Sequence, residues 1–71
     1  MKTLKEMKTI IAQKMFDAYM SDSREAMDNA FLMVITTASI FEVNLDQFNK
    51  DVETEYKLSK KTFYAERNYN D

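Results

Sequence analysis

The chain has 71 residues, with Lys+Arg 10 against Asp+Glu 12, a formal net charge of -2, and no cysteine, histidine, glycine or proline. That length allows one domain with a modest core; a disulfide staple is excluded, and any metal would have to be held by oxygens. Without glycine or proline the turn chemistry of a hairpin-rich β domain is missing, and near-balanced charge offers neither the basic excess of a nucleic-acid binder nor the dense acid of a DNA mimic.

The first segment is predicted to be helical over residues 2–20. Leu4, Met7, Ile11, Met15 and Ala18 recur in steps of three and four and make one apolar face. Lysines interleaved with apolar residues at the start read as a helix, not as a secretory leader. Phe16 and Met20 lie off this stripe and form, with Ala12 and Tyr19, a second and smaller apolar patch. Phe16, Tyr19 and Met20 are therefore candidate contacts for a protein partner, the alternative being that they pack against the third helix or a second copy.

Ser21-Asp22-Ser23 breaks the pattern, and the Asp22/Glu25 spacing resembles a capping box. A second helix is predicted over residues 23–42. From Ala30 to Phe41 it reads AFLMVITTASIF, and Thr36, Thr37 and Ser39 do not line up as a separate polar stripe. A helix apolar all round is surrounded by protein or by membrane. The charge-free run Asn29–Phe41 is too short to span a bilayer, which needs about 20 residues. The β-branched residues make a buried strand the competing reading, but the helical flanks and the length favour helix.

Asn44 is a good N-cap with Gln47 at the capping-box position, and Val43 and Phe48 stand at hydrophobic-staple positions. The third helix is predicted over residues 45–66, with an apolar stripe of Leu45, Phe48, Val52, Tyr56 and Phe63. Its first half carries Asp46, Asp51, Glu53 and Glu55 and its second half Lys57, Lys60, Lys61 and Arg67, as the helix dipole favours. The tail Asn68–Asp71 is polar and expected to fray. The expected fold is thus all-α, a single three-helix bundle made of a helical hairpin plus an N-terminal helix, with the second helix central. A monomer of this kind covers only part of the second helix. Pairing of two copies would cover the rest, with Phe31, Leu32, Ile35 and Ile40 at the interface. An obligate protein partner explains the same pattern.

Chemistry has few candidates. Serines 21, 23, 39 and 59 lack a histidine base, and a phosphate loop needs glycine. Glu25 and Asp28 form an E-x-x-D pair that could bind magnesium, although acids in a first helical turn equally well serve the dipole. Lys57, Lys60 and Lys61 with Tyr56, Phe63, Tyr64 and Arg67 mix cations with aromatic rings, but acids just upstream argue against nucleic acid as the ligand. Five internal methionines, at 7, 15, 20, 27 and 33, suit either core or an adaptable contact surface.

The stretch Ala38-Ser39-Ile40-Phe41-Glu42-Val43-Asn44-Leu45 resembles the A-x-x-x-G-I-D-L-type turn of MazG-like all-α nucleotide pyrophosphatases. The likeness covers residues 25–57. It implies an apolar helix, a turn and an amphipathic helix, and in the family magnesium-dependent nucleotide hydrolysis. This chain has no E-E-x-x-E motif, and its Glu25/Asp28 pair stands one residue out of the family's register, which would fall on Ala26 and Asn29. Glu42 stands where the family has glycine. The function expected from these residues is a small cytoplasmic adaptor, regulator or inhibitor that occludes a partner protein without catalysis or cofactor. Accessory proteins of viruses and mobile elements fit that description by size. The alternative is a degenerate MazG-like nucleotide-binding protein, and only that reading calls for magnesium.

Overall fold

A computed structural model of the chain describes residues 1–70, and the side chains of residues 1–67. It is all-α: α1 spans Leu4–Met20, α2 Arg24–Ile40 and α3 Leu45–Asn70, with no strand among the described residues. The expected all-α three-helix fold is the observed one. The helix ends differ in ways that local chemistry explains.

α1 starts at Leu4, not Lys2, because Thr3 and Glu6 form a complete capping box. The Glu6 N–H donates to Thr3 Oγ1 and the Thr3 N–H donates to Glu6 Oε1, both at 3.1 Å. α2 is capped by Ser23, whose Oγ accepts from the Ala26 N–H at 3.1 Å. Asp22, expected to share in that cap, has a different task. It carries a positive φ of 52° in the turn after α1, and Glu42 carries 55° in the turn after α2. In both turns the last helical carbonyls receive paired bonds: Ser23 N–H to Ala18 O and Asp22 N–H to Tyr19 O, then Val43 N–H to Ala38 O and Glu42 N–H to Ser39 O. These are two Schellman closures made without glycine. Asn44 caps α3 by accepting from the Gln47 N–H at 2.9 Å, while the Gln47 amide donates forward to Asp51 and leaves the box half made. α3 continues past Glu66 to Asn70. The expected fraying of Asn68–Asp71 falls on residues whose side chains, and in Asp71 the whole residue, lie outside those described.

The core is built from Ile11, Ala12, Met15, Ala30, Val34, Ala38, Phe48 and Val52, with Leu4, Met7, Met27, Met33, Val43 and Tyr56 packed around it. The apolar stripe of α1 thus does face inward. Thr9 to Glu55 and Phe16 to Phe63 are matched in ascending order, so α1 and α3 run parallel, as two short turns around α2 require. The central element is α1, not α2 as expected: α1 packs extensively on both other helices, which meet each other much less. The reason lies in which side chains α2 turns inward. It buries Ala30, Val34, Thr37 and Ala38, all small or medium residues, so it lies close to α1 but fills little space. The 44 Å long dimension is that of α3, whose 26 residues rise about 39 Å. No helix among the described residues is long and apolar enough to cross a membrane.

Candidate protein-binding surface

Having turned its small residues inward, α2 presents its large ones outward. Phe31 is 40% exposed, Leu32 60%, Ile35 51% and Ile40 64%, and Leu45 at the start of α3 adds a fifth at 42%. At 100° per residue, Phe31, Leu32, Ile35 and Ser39 fall within one sector of about 100°, and Ile40 lies about 80° beyond it. Phe31, Ile35 and Leu45 line a cleft of about 230 Å³ between α2 and α3, floored by Val34 and rimmed by Asp46 and Asn49. The N-terminal end of the same face carries Arg24, Glu25 and Asp28, all exposed, and Glu42 stands exposed just beyond its C-terminal end. Isolated exposed apolar residues are ordinary, but a contiguous group on one face is the pattern of a contact surface. Four of these residues, Phe31, Leu32, Ile35 and Ile40, are those the sequence nominates for an interface between copies. Leu45 is absent from that set because its spacing matches the inner stripe of α3.

The smaller patch on α1 divides. Phe16 is half-buried and meets Phe63 edge-to-face, with ring centroids 5.8 Å apart. Tyr19 is half-buried too, edge-on to Tyr56 at 6.4 Å, and its hydroxyl hydrogen-bonds the Tyr64 hydroxyl. Met20 alone of the three is exposed, at 46%. Phe16 also forms one wall of an open groove of about 440 Å³ with Leu58 and Phe63, edged by the carboxylates of Glu55 and Glu66. This groove shares no residue with the α2 face.

Two of the cations of α3, Lys60 and Arg67, lie on rings of their own chain. Lys60 Nζ stands 4.4 Å from the Tyr19 ring centroid and 5.1 Å from that of Tyr56, and the Arg67 guanidinium is 5.5 Å from Phe63. The hydrogen bond with Tyr19, then partial burial, raises the Tyr64 phenol above its ordinary value. At the other end, the backbone and hydroxyl bonds from Thr3 hold the Glu6 carboxyl below its ordinary value. Glu25 and Asp28 project into solvent from the first turns of α2. Among the described residues no three acidic groups converge in a way that could hold a metal ion. No protein-family model, curated protein or solved structure matches the chain.

Proposed function

We propose that this chain is a small protein-binding module that works by covering surface on another polypeptide, with no chemistry of its own. The observation that carries the reading is the inversion of α2, which buries alanines, a threonine and a valine while leaving Phe31, Leu32, Ile35 and Ile40 outside. A folded unit short of core would gain by turning the larger side chains inward. Placing them outside is advantageous when they are buried against protein. The α2 face is the self-associating surface on this reading. The groove of Phe16, Leu58 and Phe63 is then left for a different partner, and its Glu55 and Glu66 rim suits a segment bearing lysine or arginine. A photo-crosslinking amino acid at Leu32, compared with one at exposed Lys57, tests the reading in cells. The expected result is a polypeptide adduct at position 32 and little at 57. A free, uncrosslinked chain at both positions would overturn it.

A further inference from the structure

We infer that the α2 face is occupied by the α2 of a second copy, running antiparallel about a two-fold axis at the level of Met33 along the helix. The inference rests on the protein-binding reading above and adds the identity, direction and register of the occupant. Three observations lead to it.

The first is charge. In any two-fold pair of parallel helices each residue meets its own copy, so Arg24 would face Arg24, Asp28 would face Asp28 and Glu42 would face Glu42. Like charges set against each other oppose association. An antiparallel pair instead sets each residue against the one equally far on the other side of the axis. With the axis at the level of Met33, Phe31 of one copy lies level with Ile35 of the other, and the same register brings Arg24 level with Glu42. Arg24 stands about 14 Å along α2 from the axis, and Glu42 lies in the turn just past the other end of α2; one is positive and one negative, and both are exposed. The complementary pair therefore occurs twice, once at each end of an apolar centre. Asp28 comes within one residue of level with Ser39, whose exposed hydroxyl can donate to it.

The second is area. Phe31, Leu32, Ile35 and Leu45, each roughly half exposed, offer on the order of 300 Å² of apolar surface per copy, the size of a functional patch. The third is shape. The cleft between Phe31, Ile35 and Leu45 lies beside the axis, so each copy offers both a cleft and the Phe31 and Ile35 side chains that can enter its partner's, as a self-complementary contact requires.

The test is a charge-reversal series read as the dimer dissociation constant by dilution calorimetry at low salt, with circular dichroism confirming the fold. Arg24→Glu places two acids at each end of the dimer, and Glu42→Arg places two cations there. Each should weaken the dimer about tenfold. Arg24→Glu with Glu42→Arg in one chain restores opposite charges and should return the constant to within about twofold of the unmodified chain. Leu32→Glu serves as the control on the face itself. If Leu32→Glu loosens the dimer and the double reversal rescues the singles, the register stands. If Leu32→Glu loosens the dimer but the reversals are without effect, or the double is as weak as the singles, the antiparallel register is wrong while the α2 face remains the interface. If the dimer is indifferent to Leu32→Glu, or the chain stays monomeric, the occupant of the face is not a second copy.

Discussion

The Val43 N–H donates to the Ala38 carbonyl at 3.0 Å, and the residue enclosed by that bond, Glu42, is held at φ 55°. The first turn repeats the arrangement, with Ser23 bonded to Ala18 around Asp22 at φ 52°. A residue with a Cβ is strained in this region, and glycine relieves the strain although it also loosens the unfolded chain. Glu42→Gly should therefore stabilise the fold by about 0.5–1 kcal/mol, raising Tm by roughly 3–6 °C. Asp22→Gly should gain less, because aspartate tolerates the left-handed region better. Thermal melts of both variants made in the Leu32→Glu chain, where the Arg24–Glu42 pairing of the dimer does not enter, check this, and a lower Tm for either would contradict it.

Val34 and Ile35 are neighbours in sequence, yet Val34 is buried and Ile35 is half in solvent. Glutamate at the two positions should have opposite consequences. Val34→Glu places a charge without a partner in the core and is expected to unfold a domain this small. Ile35→Glu should keep full helicity as a monomer while abolishing association. Circular dichroism alongside light scattering separates the outcomes. Unfolding of both variants in dilute solution would mean that Ile35 belongs to the core.

Phe16 and Met20 should likewise separate. The Phe16 ring rests on Phe63, so Phe16→Ala should cost about 2 kcal/mol, part of the 3–5 kcal/mol of a fully buried phenylalanine, and lower Tm by roughly 10 °C. Met20 is exposed, and Met20→Ala should leave the melt unchanged. Equal melts for the two variants would contradict the packing.

Two titrations probe the ends of α1. The Glu6 carboxyl is held low by its bonds with Thr3, so the carboxylate form is favoured by the fold. Its contribution is fully present above the ordinary carboxylate range and is lost as pH falls through the lowered value. NMR titration should find Glu6 shifted up in Thr3→Ala, with less helix at the N-terminus. Tyr64 has the opposite sign. Its phenol is raised, chiefly by the Tyr19 hydrogen bond, so the neutral form is favoured and the contribution is lost as pH rises through the raised value. Tyr19→Phe should bring the Tyr64 titration, followed by ultraviolet absorbance, down toward normal. An unchanged curve would remove the hydrogen bond from the account.

Much of the fold is legible in the sequence, because helices declare themselves locally. The i, i+3, i+4 stripe of α1 and the Asn44 cap follow from spacing and side-chain type alone. Thr3-Leu4-Lys5-Glu6 carries the capping-box signature as plainly, and it sets the first residue of α1. The Schellman turns are hidden because their usual marker is glycine, and Asp22 and Glu42 read as ordinary surface acids. The order of packing is hidden for a different reason. An all-round apolar helix gives no direction to its moment, so composition cannot say that Ala30, Val34 and Ala38 turn inward and Phe31, Leu32 and Ile35 outward. Only the close approach of α1, which admits small residues, decides it. The same ambiguity affects Tyr19, whose aromatic neighbours Tyr56 and Tyr64 come from a helix far away in sequence.

In the proposed dimer the large residues of α2 are buried against a second copy. Sedimentation velocity over the micromolar range tests it most directly, comparing the unmodified chain with Leu32→Glu/Ile35→Glu. The unmodified chain is expected to sediment as twice its 8.4 kDa mass, and the variant as a single protomer of unchanged helicity. An unmodified chain that is monomeric throughout, or a variant that stays associated, would contradict it.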